Sequence, residues 1–283
     1  MSHKPSTQSS KQPSAQSLRL GYHNRANFAP LLYPLEAGWI APPSPWTLQI
    51  ENDTPAELLD SLLADDLDAA FITPVSAQLN GSKIAPLGGW GLAVAGAAET
   101  ALFLSPSRID LIDGGDVAIT PSAEGSTANH LLRTLITPYY GAKLNFHIPD
   151  SEGYDISGPR LLFGDDAAQK GAQAASAGWA VEDISLAWWI MTGLPMVWEL
   201  LCYKRDLETR KPGATEALQN LVKLSQRSAN EQASSVLDIA ASHLGLTPDR
   251  VKALFARQTY TLGTNEQKGL ATFLDMAGRT KAI

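Results

Sequence analysis

Short apolar runs alternating with capped helix starts fill the first two thirds of the chain, and longer segments with a helical period fill the remainder. Residues 18–22, 46–51 and 68–73 read as strands. Between the last two, Thr54-Pro55-Ala56-Glu57 opens a helix: Thr54 suits the N-cap, Pro55 the first helical position, and Glu57 completes a capping box. This alternation predicts βαβ units and a largely parallel sheet, hence an α/β protein. Further strands are expected at 101–104, 117–120, 144–148 and 160–163, with a helix over 126–137 between two of them. From Ala214 onward the pattern is helical, with runs at 214–243, 248–256 and 265–277.

This order divides the chain into a first lobe of residues 18–104 plus 205–283 and a second lobe of residues 105–204, the chain crossing between lobes twice. Residues 1–17 contain six serines and two prolines and read as a disordered tail that cannot bury enough surface to order itself. In open α/β sheets ligands bind beyond the carboxyl ends of strands. The loops at 22–30, 73–78, 120–127 and 164–168 are therefore expected to line a cleft.

At 283 residues, 44% hydrophobic and 18% charged, the chain is large enough for two lobes and has an ordinary globular composition. Its net charge of -7 argues against nucleic acid as the main partner. Locally, 18–35 carries Arg19, His23 and Arg25 with no acid, a positive patch suited to a small anion. The apolar stretches at 92–98 and 194–202 are too short or interrupted to span a bilayer, so no membrane insertion is expected. The first 17 residues lack the apolar run of a secretory signal, which leads to an expectation of a cytoplasmic protein. Cys202 stands alone among apolar neighbours and reads as a buried thiol. No Gly-x-Gly-x-x-Gly after a strand, Walker loop or His-x-x-x-His pair is present, so neither cofactor nor metal is expected. The oligomeric state is not legible.

Four separated segments resemble the menaquinone-biosynthesis enzymes of the futalosine pathway. They are Gly21 to Leu35 with its Asn27-x-x-Pro30; Asp68-Ala-Ala-Phe-Ile-Thr-Pro-Val-Ser76; Ser126-Thr127-Ala128-Asn129-His130-Leu131-Leu132; and Leu162-Phe163-Gly164-Asp165-Asp166-Ala167 with Trp188-x-x-x-Thr192-Gly-Leu-Pro-Met-Val197. Ala128 departs from the second hydroxyl common after the threonine, and Ala77, Gln78 and Leu79 replace an acid common after the Pro-Val-Ser turn. The resemblance implies a two-lobed periplasmic-binding-protein type II-like fold whose helical C-terminal segment packs on the first lobe. It also implies a cofactor-free lyase that eliminates water from chorismate to give 3-[(1-carboxyvinyl)oxy]benzoate. Two alternatives stay open: a sister enzyme resembling dihydroxynaphthoate synthase, and a non-catalytic binding protein for a small aromatic carboxylate.

Dehydration of chorismate aromatises its ring, so the protein need only hold a dianion, accept one proton and help hydroxide leave. Asn27 is the candidate catalytic residue, orienting the ring hydroxyl or enolpyruvyl group; as a bare loop residue it reads as a turn former. His23 and Arg25 are candidates for a substrate carboxylate or for acid work, and Thr73, Ser76 and Ser122 for the cleft lining. Ser126 and Thr127 open a helix whose free N–H groups suit a carboxylate, while the same residues also read as an ordinary N-cap. Asp165 and Asp166 read as a helix start, Trp188 and Trp189 as helix-face residues in the core and at the lobe interface, and 192–195 as a helix stop. Apart from Glu124 no acid falls in the first three cleft loops, which points to substrate-assisted proton removal.

Overall fold

The computed structural model describes residues 16–23, 25–119, 125–148 and 158–280. The chain begins with β1 (Gln16–Tyr22), α1 (Arg25–Glu36), β2 (Trp46–Asn52), α2 (Pro55–Leu63), β3 (Ala69–Ile72), α3 (Pro74–Leu79) and β4 (Ile84–Val94). It continues with β5 (Ala101–Ser105), β6 (Asp113–Ile119), α4 (Thr127–Ile136), β7 (Lys143–His147), β8 (Arg160–Phe163), α5 (Asp165–Ser176), β9 (Ala180–Asp183) and α6 (Ile184–Thr192). It ends with β10 (Met196–Lys204), α7 (Leu207–Arg210), α8 (Ala214–Glu231), α9 (Ala233–Leu244), α10 (Pro248–Phe255), β11 (Gln258–Thr261) and α11 (Thr264–Arg279).

Two sheets result, one ordered β11-β4-β10-β3-β1-β2 and the other β7-β6-β8-β5-β9. The βαβ expectation holds where capping is strongest: β1 lies parallel to both β2 and β3, and Thr54 and Glu57 form the capping box of α2. The expectation of a largely parallel sheet does not hold, because β10 runs antiparallel to β3 and β4, and β11 antiparallel to β4. A strand that returns from the other sheet meets its neighbours without a helical crossover and is free to pair antiparallel.

Sheet membership also corrects the expected lobe boundaries at two strands. Ala101–Ser105 pairs with β8 and β9 in the second sheet, and Met196–Lys204 pairs with β3 and β4 in the first. Both strands are buried along nearly their whole length, so neither carries the alternation that would reveal its sheet. At the N-terminus, residues 1–15 of the expected tail lie outside the described residues, while Gln16 and Ser17 belong to β1.

Leu18, Leu20 and Tyr22 point from one face of β1 into a core that also holds Phe28, Leu31 and Leu32 of α1 and Phe71 of β3. The stretch 22–30 is not the loop expected: α1 begins at Arg25 and carries Pro30 and Pro34 inside it. Proline opposes a helix interior, but burial of the Phe28–Leu31–Leu32–Leu35 face against α8 outweighs that propensity. Asp68, fully buried at the entrance to β3, is held by Lys211 Nζ at 2.7 Å, the Arg19 backbone N–H at 2.9 Å and the Arg19 guanidinium at 3.4 Å. The expected helix at 214–243 is broken at Gln232 into α8 and α9. Cys202 is buried, and burial pushes its thiol up to about 12.

α11 packs across β10, α3 and α4, with Trp188 of α6 edge-on to Phe273 at 6.1 Å. Gly269 permits this approach: a Cβ there would stand 2.2 Å from the Pro195 carbonyl oxygen. Gly269→Ala is therefore expected to destabilise the protein by about 1–3 kcal/mol, read as a lowered urea midpoint.

Candidate functional site

Strand ends from both sheets converge where the chain passes between them. His23 follows β1, and its Nδ1 lies 2.8 Å from the Asp53 carbonyl oxygen after β2. Its ring stacks on Phe163, at the end of β8, with centroids 6.0 Å apart and planes inclined by 18°. Phe163 continues the aromatic run to Trp198 of β10 at 5.8 Å. Burial lowers the His23 pKa against the opposing pull of the Asp53 carbonyl and the Asp165 and Asp53 charges. His23 is thus neutral at neutral pH, suited to hydrogen bonding and stacking more than to anchoring an anion by charge.

Asn27, in the first turn of α1, is the hub of a buried network. Its amide Nδ2 donates to Thr100 Oγ1 at 3.1 Å, and its Oδ1 accepts from Gln258 Nε2 at 3.0 Å. The Tyr260 hydroxyl lies 2.5 Å from the Asn27 carbonyl oxygen and 2.8 Å from Gln258 Oε1, its one proton serving both. Thr100 immediately precedes β5, so this network fastens α1 and β11 to the segment leading into the second sheet.

The rest of that segment is pinned too. Glu99 has a positive φ of 58°, and its backbone N–H donates to Asp183 Oδ2 at 2.6 Å. Its carboxylate pairs with Arg250 and Arg257, and Arg257 also donates to the Ala97 carbonyl. On the return, α6 ends at Gly193 in the left-handed region, as the stop at 192–195 predicts. Trp188 is fully buried, whereas Trp189 lies on the outer face of α6 at 37% exposure.

Thr73 is the N-cap of α3, its hydroxyl accepting from the Ser76 N–H at 3.4 Å and donating to Ser76 Oγ at 2.9 Å. Ser126 caps α4 by accepting from the Asn129 N–H at 3.3 Å. Thr127 donates its hydroxyl proton to the Trp198 carbonyl oxygen at 2.5 Å. The register of β10 against β4 slips between Val197 and Glu199, and the Thr127 hydroxyl supplies the partner for the carbonyl in that irregularity. Arg25 is the first residue of α1, but its side chain, like Ser122 as a whole, lies outside the described residues. Asp165 opens α5 and reaches His243 Nε2 of α9 at 2.8 Å, joining the second sheet's layer to the C-terminal helices.

One group escaped sequence reasoning. Glu199 of β10 is 2% exposed, and its Oε2 has no hydrogen-bond partner among the described residues. Burial alone raises its pKa well above the ordinary carboxyl value. The signal lay in Met196-Val-Trp-Glu-Leu-Leu-Cys202, where a carboxyl interrupts an otherwise apolar strand. Among the described residues no group of three His, Cys, Asp or Glu side chains is placed to hold a metal ion, and no helix is long and apolar enough to cross a membrane.

Two mixed sheets joined by two crossings, with strand ends gathered at the junction, make a periplasmic-binding-protein-like fold. Solved structures share this fold. A protein from Archaeoglobus fulgidus superposes with a TM-score of 0.73 at 19% identity, over 94% of this chain and 98% of its own. The periplasmic aliphatic sulphonate-binding protein of Escherichia coli gives 0.63 at 13%, over 95% and 87%. The alkanesulfonate-binding protein of Xanthomonas axonopodis pv. citri bound to MOPS gives 0.67 at 12%, over 95% and 94%. A family model described as menaquinone biosynthesis matches residues 18–279, and the chain belongs to that family.

Thr127→Val leaves the Trp198 carbonyl without its partner and is expected to cost about 1–3 kcal/mol of stability. Chemical denaturation at neutral pH reads this directly, and an unchanged midpoint would remove the Thr127 hydroxyl from the packing of α4 on β10.

Proposed function

We propose that this chain is a chorismate dehydratase, a carbon–oxygen lyase forming 3-[(1-carboxyvinyl)oxy]benzoate without a cofactor as part of menaquinone biosynthesis. The observation that carries this reading is the Asn27 hub within a chain of the menaquinone-biosynthesis family: an amide held by Thr100 and Gln258 at the junction of the two sheets. We take the two sheets as lobes that close on the substrate. Thr100 uses one of the two Asn27 amide protons, and the other is assigned to a substrate oxygen. The His23–Phe163–Trp198 run supports stacking of a flat carbocycle beside it. The N–H groups opening α4 near Ser126, with Arg25 and Ser122, are assigned to the substrate carboxylates. Thr73 and Ser76 serve the cleft as a capped turn.

In this reading the enolpyruvyl carboxylate takes the neighbouring ring proton as the hydroxyl departs, and aromatisation drives the step. Asn27 and the start of α4 contribute by holding charge where it develops. Purified protein incubated with chorismate is expected to form the aromatic product, followed by chromatography. Asn27→Ala is expected to lower turnover by about two orders of magnitude, whereas Thr100→Val, which leaves the Asn27 amide in place, should lower it much less. Tight binding of chorismate without product would favour a non-catalytic binding protein, and turnover only of a larger nucleoside-bearing substrate would favour the naphthoate-forming sister.

A further inference from the structure

Glu199 occupies a defined place in the first sheet. It pairs opposite Leu92 of β4, and residues directly opposed across an antiparallel ladder share a face. Leu92 belongs to the core that includes Phe28, Phe71 and Tyr260. On one side of Glu199, Leu200 pairs with Ile72, which sets Glu199 level with Thr73 just beyond the end of β3. On the other side, Thr259 pairs with Ala93 and Thr261 with Trp90, the register slipping between them, which sets Tyr260 beside Leu92 and Gly91; Tyr260 and Leu92 belong to the same core. The row across this face is therefore Thr73, Glu199, Leu92, Tyr260. Phe28 lies 4.4 Å from Phe71 and 6.3 Å from Tyr260, so it spans the same strands from above, and it directly follows Asn27. Glu199 thus sits in the layer beneath the first turn of α1, at the end of the sheet where β3 stops. A second orphan adjoins it: the indole Nε1–H of Trp198 is buried with no partner among the described residues, and that ring faces Phe163.

Buried polar atoms are ordinarily paired, and two neighbouring exceptions beside the end of β3 call for a ligand or a chemical role. Asp68 shows the contrast, because Lys211 and Arg19 pair with its side chain. Among the described residues no cation does this for Glu199. The other titratable group in its row is Tyr260, which burial also keeps protonated. A carboxyl in such a site stays neutral and can donate its proton, as in ketosteroid isomerase, where an apolar site keeps a carboxylic acid protonated.

We propose that Glu199 is the acid of the elimination, handing its proton to the hydroxyl that leaves the substrate ring, with the Trp198 indole N–H hydrogen-bonding the same oxygen or its neighbour. This assignment rests on the chorismate reading. The ring carbon–oxygen bond breaks with its electron pair on oxygen, and the Glu199 proton joins that oxygen to form water. The ring C–H proton passes to the enolpyruvyl carboxylate, and its electron pair completes the aromatic ring. The proton on the enolpyruvyl carboxylic acid then returns to Glu199, leaving product and water as the net change.

The test is Glu199→Gln in the full chain, which keeps the shape and a hydrogen-bond donor but has no acidic proton to give. With chorismate as substrate, kcat is expected to fall about 10²- to 10⁴-fold, with KM nearly unchanged. Wild-type kcat should decline as pH rises through the elevated Glu199 pKa, because the carboxylate cannot donate, and the Gln variant should lack that limb. A merely structural Glu199 would leave both kcat and the limb in place, and that result overturns the assignment alone. A wild-type protein that forms no aromatic product overturns the chorismate reading itself. Infrared spectra give a readout independent of turnover: at neutral pH the wild type should show a protonated-carboxyl C=O band that the Gln variant lacks and that added chorismate shifts. Absence of the band, or a band that chorismate leaves in place, also overturns the assignment.

Discussion

The buried amide of Asn27 is the constraint on which the junction of the sheets depends. A polar side chain with 4% exposure must find its hydrogen bonds within the protein, and the Asn27 amide finds them at Thr100 and Gln258, while Tyr260 donates to the Asn27 backbone carbonyl. Those partners lie on the segment entering the second sheet and on a short strand near the C-terminus. Satisfying one amide therefore fixes where α1 begins, where β11 pairs and how the chain leaves the first sheet. Glu99, Arg250, Arg257 and Asp183 repeat the arrangement a residue away, holding a backbone in the left-handed region that a glutamate rarely adopts unless its neighbours determine it.

Two buried acids in the first sheet follow opposite physical routes. Asp68 is compensated by two cations and a backbone N–H, and it ties β3 to β1 and to the loop before α8, at the opposite end from the strand-end residues. Such a pair is more costly to break than it is stabilising to form, since removing one partner strands the other. Glu199 has no ion-pair partner among the described residues, and once it is buried the cheaper course is to keep its proton. The compensated acid serves architecture, and the uncompensated one is available for chemistry.

The local signals were readable wherever a short-range rule determined the outcome. The Thr54–Glu57 box, the Ser126 cap, the Gly193 stop and the apolar strands β1, β3 and β8 all appear close to where the pattern put them. The misses share a cause. Residues 22–30 read as a loop after the first strand, whereas Arg25–Glu36 forms a helix packed on α8 despite its two prolines, and β4, β9, β10 and β11 went unread because their pairing partners lie far away in sequence. Among site residues, Asn27 and His23 were singled out and do lie at the junction, whereas Thr73, Ser126 and Thr127 prove to be engaged as caps or in packing.

By itself, the sequence determined the α/β class, the βαβ opening, the helical C-terminal third, the burial of Cys202 and the family-like segments around Asn27 and Phe163. These follow from period, capping chemistry and side-chain polarity, which act within a few residues. Only the tertiary structure decided which sheet β5 and β10 join, that Asn27 binds residues on two distant segments, and that Glu199 is buried with no ion pair among the described residues. Those outcomes depend on which strands meet across the fold. A chain pattern records that a carboxyl is present among apolar residues, but only the packed neighbours set its charge.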